Sequence, residues 1–146
     1  MDETGCYVGP VTDGTVLGPA TKTVIIIKQA RNKEWITVLE CISARGRYIK
    51  PTVIFKGKAL QHQWFEESTP DWVYTTSNKG WIDNGIGLGW LEQVFIPQTR
   101  SATSDTIGRI LVLDGHASHV DSLFMKAYYN NKIYYIYLPP YTSHVL

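Results

Sequence analysis

The chain has 146 residues, 44% of them hydrophobic, 12% aromatic and 18% charged, with a formal net charge of +1. That composition suits one domain with its own core and excludes a disordered segment. The longest aliphatic run, Val24 to Ile27, falls far short of a bilayer, and the acidic opening "MDETG" lacks the apolar region of a secretory signal.

The near-neutral total hides a polarity. Between Lys22 and Lys58 lie nine Lys and Arg against Glu34 and Glu40, a balance of +7; the remainder carries five bases against eleven acids, a balance of −6. Such a chain suits one basic face that tracks phosphates, for which Lys22, Lys28, Arg31, Lys33, Arg45 and Arg47 are candidates, and another that gathers carboxylates for a cation. Cys6 and Cys41 stand apart, with neither CxxC nor finger spacing, and are expected as buried reduced thiols.

In chain order, "TKTVIIIKQ" (21–29) and "EWITVLECISARG" (34–46) are rich in β-branched and aromatic residues and flank the polar turn "RNKE", which predicts an antiparallel hairpin. "YIKPTVIFKGK" (48–58) adds an extended run, and Pro51 points to an edge or irregular position. The aromatic stretch 61–80 reads as irregular. In "WIDNGIGLGWLEQVFIPQT", Ile82, Ile86, Trp90, Leu91 and Phe95 recur at helical spacing, with Asp83 or Asn84 as cap and Pro97 just past the end. Gly85, Gly87 and Gly89 weaken that helix by roughly 1 kcal/mol each relative to alanine if they lie inside it.

Residues 109–114, "RILVLD", predict a strand buried on both faces because the apolar run is continuous. Residues 118–132 predict a helix with Ser118 and Asp121 as a capping pair and Leu123, Phe124, Ala127 and Tyr128 as its apolar stripe. "IYYIYLPP" (133–140) is a further strand, and the tail "YTSHVL" offers Thr142 and Ser143 as helix caps. Strand, helix, strand beside an antiparallel hairpin means α/β with a mixed sheet.

The carboxylate of Asp114 at the tip of so apolar a segment is either a turn residue or a chemical one. In open α/β sheets functional groups cluster beyond the carboxyl ends of strands, and Gly115 permits a sharp turn there. "MDETG" supplies a second acid, Asp2, at what reads as the end of a strand starting upstream. Two aspartates on neighbouring strand ends suit Mg²⁺ or Mn²⁺, hard cations that keep room for water and phosphate oxygens.

"MDETG", "GWIDN…WLEQVF…T", "LVLDGHASH" and "YLPPYTSHVL", in this order, resemble the DDE-superfamily endonuclease domain. More narrowly, they resemble the pogo/jerky/centromere-protein-B branch of mariner-like transposases, especially fungal ones. The resemblance implies a single RNase H-like domain over residues 1–146, with a mixed five-stranded sheet and acids on its first and fourth strands, here Asp2 and Asp114. It implies two bound Mg²⁺ or Mn²⁺ ions, DNA as partner, phosphodiester cleavage and strand transfer, and the nucleus as location. Two cations roughly 3.5–4 Å apart stabilise both the entering and the leaving oxygen. The family's third acid belongs to a stretch reading QPLD beyond "LPPxTSHxL". The sequence is thus expected to be clipped at both ends, with the third acid and the usual helix-turn-helix domain outside it, the metal site weak or absent and the fragment inactive. Tyr141 stands where relatives often have histidine.

Other readings compete. A non-catalytic nucleic-acid-binding protein needs only the basic segment. Asp114 with His116 and His119 has spacing compatible with zinc but lacks a further nitrogen or sulfur donor, so the histidines are expected to orient the turn or approach phosphate. "GIGLG" is a poor dinucleotide loop, since the glycine due at position 90 is Trp90. Ser118 beside His119 is better read as a cap than as a nucleophile.

Overall fold

A computed structural model describes residues 1–8, 34–114 and 121–139, the side chains of Ala102 and Asp114 excepted. The expected strand 21–29, the capping Ser118 and the tail 140–146 lie outside these residues.

Six strands are described: β1 Asp2–Val8, β2 Glu34–Glu40, β3 Thr52–Lys56, β4 Val73–Ser77, β5 Arg109–Asp114 and β6 Ile133–Leu138. The first four form one sheet in the order β1-β2-β3-β4, and β5 pairs with β6 in a second. β1–β2 and β2–β3 are antiparallel, whereas β3–β4 and β5–β6 are parallel. The architecture is mixed α/β, with the parallel strand-helix-strand unit expected at 109–138.

Several elements depart from expectation. β3 lies between β2 and β4 rather than at an edge. Pro51 is tolerated because it precedes the first strand residue, where its missing N–H costs no ladder bond, and its carbonyl accepts from Val73 at 3.0 Å. The stretch read as irregular contains a short 3₁₀ turn, His62–Trp64, and β4. β4 makes the described strand count six rather than five and puts Asp114 on the fifth strand instead of the fourth.

The long helical segment runs as α1 Asn84–Trp90, a π-helical turn Leu91–Phe95 and α2 Ile96–Thr99. Asp83 is the cap, its side chain accepting from Ile86 N–H at 2.9 Å. Pro97 sits within α2 and not beyond the helix; the preceding π turn already departs from the i−4 hydrogen-bond pattern that a proline interrupts. A further helix, α3 Ala102–Ile107, is closed by reciprocal bonds between Ser101 and Ser104. α4 spans Ser122–Asn130, and Asp121 at its N-cap position makes no side-chain capping bond. Its buried stripe is Phe124, Ala127 and Tyr128, while Leu123 is exposed.

One core unites both sheets and the helices. Leu39 and Ile54 from the larger sheet meet Trp90, Leu91, Val94 and Phe95, and the same cluster takes in Leu111, Leu113, Phe124, Tyr128 and Ile133. β5 is not buried on both faces: Leu111 and Leu113 are 2% and 1% exposed, but Ile110 and Val112 are 68% and 40%. A strand that packs against helices on one face alternates, whatever the polarity of its outward residues. The expected burial of both thiols also fails, for Cys6 is exposed and Cys41 only half-buried. Cys6 lies opposite Ile36, two places along β2 from Val38, so it shares the sheet face turned away from Leu39 and the core.

Candidate carboxylate site

Asp2, expected at the end of a strand, instead opens β1, whose run continues to Val8, while Asp114 closes β5 as expected. The two strands touch where the backbone nitrogen of Met1 donates to the Val112 carbonyl at 2.9 Å. Asp2 follows the donor of that bond, and Asp114 lies two residues beyond the acceptor. The apolar character of β5 has a mechanical consequence: Leu111 and Leu113 anchor the strand in the core and pairing with β6 fixes its register, so the backbone at Asp114 is held by both.

The carboxylate of Asp2 is exposed, and its Oδ1 accepts from the Glu3 N–H at 3.0 Å. The β1–β2 register sets Asp2 directly opposite Glu40, also exposed. Opposite residues of an antiparallel pair share one face with their Cβ atoms about 5 Å apart, so two acids project together there. Glu40 is absent from the sequence-derived candidates. Its signal, an acid ending the β-rich run "WITVLE", acquires meaning only through its pairing partner.

The donor set on β1 and β2 is made of hard carboxylate oxygens open to water, which fits a divalent cation that keeps most of its water ligands. Among the described residues no group of three or more His, Cys, Asp or Glu side chains is assembled into a metal cage. At Cys41, close by in sequence, burial pushes the thiol up against the opposing pull of the amino terminus.

Of the basic candidates, Arg45 and Arg47 lie on the exposed turn that joins β2 to β3. The turn is closed by Ser43 N–H to Arg47 C=O at 2.7 Å and Gly46 N–H to Ser43 C=O at 2.9 Å, with Gly46 at φ +78°. Arg47, Arg100, Arg109 and Met1 line one groove of about 680 Å³. Arg109 is already committed, donating to Ile96 C=O at 3.1 Å, Thr99 Oγ1 at 2.9 Å and Asn131 C=O at 3.1 Å. Burial lowers its affinity for its proton, though a guanidinium stays charged. Arg100 pairs with Asp105 at 3.3 Å. Arg47 makes no salt bridge among the described residues. Lys22, Lys28, Arg31, Lys33, His116 and His119 lie outside the described residues, as does the side chain of Asp114, so the zinc arrangement of Asp114 and the histidines does too. The glycines of "GIGLG" fall inside α1, not in a strand-to-helix turn, which removes the dinucleotide reading.

Comparison with known proteins follows the same direction. The family described as DDE superfamily endonuclease matches residues 32–146. The chain is also similar to the MFS-type transporter clz9 of Cochliobolus lunatus, at 37% identity over 148 residues that cover 100% of this chain and 16% of that protein. It therefore spans 16% of the length of this curated relative. No solved structure matches it. Among the described residues no helix is long and apolar enough to cross a membrane. With the family matching most of its length, the chain belongs to the DDE superfamily endonucleases.

Proposed function

We propose that this chain is catalytic-domain sequence of a transposase of the pogo/jerky/centromere-protein-B branch, built on an RNase H-like frame, acting on DNA in the nucleus. Asp2 and Asp114 are its cation-holding carboxylates. The observation that carries the reading is the hydrogen bond from Met1 N to Val112 O. A parallel ladder running on from that bond would bring Asp2 level with Asp114 on one face, between Glu40 on one side and β6 on the other.

A hard divalent cation, Mg²⁺ or Mn²⁺, when bound supplies the positive charge that makes a phosphodiester attackable by water or a DNA 3′-hydroxyl. The chain's own part is to hold oxygens still. β5 carries Asp114 on a buried frame, β1 carries Asp2 against β2, and Glu40 sets a further carboxylate opposite Asp2. Arg45 and Arg47 stand beyond the strand ends to meet the phosphate backbone. The transporter name of the relative describes a protein of which this stretch is 16%, and we do not extend it to these residues.

The test reads cation binding. Mn²⁺ titration followed by paramagnetic resonance is expected to show a bound ion whose affinity falls about tenfold or more in Asp2→Asn and in Asp114→Asn. Unchanged affinity in both variants refutes the assignment.

A second reading, a nucleic-acid-binding protein without catalysis, is favoured by one observation: the exposed Arg45 and Arg47 make no salt bridge among the described residues. It predicts DNA binding that survives loss of both aspartates and weakens steeply with salt. Binding indifferent to salt eliminates it.

A further inference from the structure

The turn that joins β2 to β3 carries charge that the carboxylate site does not use. Ile42 bridges Tyr48 in antiparallel sense, and Ile49 N–H donates to Cys41 C=O at 3.2 Å, so the two arms run on past β2 as a narrow ribbon. Ser43 and Arg47 close it: Ser43 N–H donates to Arg47 C=O at 2.7 Å, and Arg47 N–H donates back to Ser43 Oγ at 3.1 Å. Only Ala44, Arg45 and Gly46 lie beyond that pair. Gly46 N–H folds them over by donating to Ser43 C=O at 2.9 Å, and Gly46 takes a φ of +78°, which L side chains rarely adopt. A Cβ at Gly46 would meet nothing within 4 Å, so the backbone and not packing requires glycine, and the point of the turn stands clear.

Residues 42–48 are all exposed. The neighbouring cations are spent: Lys50 pairs with Asp71, Arg100 pairs with Asp105, and Arg109 is bonded to Ile96, Thr99 and Asn131. Arg45 and Arg47 enter no salt bridge among the described residues. Arg45 occupies the point between an alanine and a glycine, so the turn narrows to a single guanidinium. Behind it, Ile42 and Tyr48 are 67% and 78% exposed and alternate in facing with Ser43 and Arg47. Arg45 lies five residues past Glu40, at most about 17 Å along an extended strand, so it meets a part of any ligand well removed from the acids.

We propose that this turn inserts Arg45 into the minor groove of A·T-rich DNA, about three to five base pairs from the phosphodiester that faces Asp2, at the 3.4 Å rise of a duplex. The placement rests on the reading of the chain as DNA-binding and says where on the duplex part of that binding falls. Shape selects the groove. A minor groove about 6 Å wide admits a side chain but not a two-stranded ribbon, and Arg45 is the long side chain that projects beyond the ribbon. Runs of A·T pairs narrow that groove and deepen its negative potential, whereas G·C pairs put the guanine amino group, a donor, where a guanidinium needs acceptors. A guanidinium is also more weakly hydrated than an ammonium and gives up its water there more readily. Ala44 and Gly46 leave room for the groove walls, and the hydrogen-bonded turn holds Arg45 in place before DNA arrives. Arg47, at the base of the point, meets the phosphates, and the apolar flanks of Ile42 and Tyr48 face the sugars.

The test titrates the full chain with duplexes of equal length whose central tract is A·T, G·C or inosine·C. Inosine lacks the guanine amino group, so its pairs match A·T in the minor groove and G·C in the major groove. The A·T and inosine·C duplexes are expected to bind about threefold or more tighter than G·C, a preference that Arg45→Lys abolishes although it keeps the charge. Arg47→Ala should weaken all three alike and lower the slope of log affinity against log salt by about 1. Both positions are exposed, so an unchanged melting temperature is expected to show each variant folded. Equal affinity for the three duplexes, inosine·C bound like G·C, or a preference that survives Arg45→Lys overturns the proposal and leaves DNA binding standing. Failure to bind any duplex overturns the DNA reading and this inference together.

Discussion

Tyr128→Phe makes the sharpest test of how the core is built. Tyr128 is 1% exposed, its ring lies 5.7 Å from Phe124 and 5.0 Å from Tyr135, and its hydroxyl has no hydrogen-bond partner among the described residues. Burying a hydroxyl without a partner costs about 1–3 kcal/mol, whereas the ring's packing survives in phenylalanine. The variant is therefore expected to be more stable at pH 7 by about 1 kcal/mol, which for a chain of this size raises the melting temperature by about 2–4 °C. Alkali amplifies the difference. Burial first, then the neighbouring Tyr137 and Tyr135, hold the Tyr128 hydroxyl well above its ordinary value of 10.0. A group whose folded value is raised contributes its stability fully below the unfolded value and loses it as pH climbs toward the folded one. Above pH 10 the unfolded chain ionises Tyr128 ahead of the native protein, at up to about 1.4 kcal/mol per pH unit. The gap between variant and wild type should therefore widen steadily above pH 10. Urea unfolding at pH 7, 10 and 12 measures it. A variant less stable than wild type at pH 7, or a gap that stays constant with pH, refutes the reasoning.

Three further outcomes follow from the packing and the charges. Gly5→Ala should destabilise by about 1–3 kcal/mol, because its Cβ would lie 2.1 Å from Trp35 Cζ2, in an indole already packed edge-to-face with Tyr7 and against the tilted ring of Trp81; an unchanged melting temperature and tryptophan emission would contradict this. In α1 the two substitutions Gly87→Ala and Gly89→Ala should part company. The first puts a Cβ 2.9 Å from Phe124, while the second meets nothing within 4 Å and should gain up to about 1 kcal/mol of helix propensity; equal effects in thermal melts would count against the packing described. Glu40→Gln relieves the like-charge pairing with Asp2 and should raise the melting temperature slightly in low salt with chelator, by an amount that 0.5–1 M salt removes, on the order of the screening expected at that strength. Mn²⁺ should then stabilise wild type more than the variant; the reverse order would mean that Glu40 faces no cation.

Much of the fold was legible from local pattern. The strand-helix-strand unit 109–138 announced itself because each piece is a long, strongly biased run, and Asp83 announced its cap by standing ahead of helical spacing. β4 escaped because "VYTTS" is short and half-polar, and what makes it a strand is parallel pairing to Thr52–Lys56, some twenty residues earlier. α3 escaped although Ser101 and Ser104 have capping spacing, since its six residues carry no apolar period. Pro51 misled because proline excludes itself from a ladder only where its N–H is needed, a fact of register rather than of composition.

The same division runs through the candidate site. The chain's own order of residues was sufficient to single out Asp2 and Asp114 as candidates and to suggest what chemistry two hard donors suit, though it misplaced Asp2, which begins a strand rather than ending one. It was blind to Glu40 facing Asp2, to the outward exposure of Ile110 and Val112, and to the gap between residues 41–44 and 109–112. Side-chain type is written residue by residue, so local pattern reveals it. Which strands become neighbours, and in what register, depends on hydrogen bonds closed across tens of residues, and only the assembled tertiary structure chooses among them.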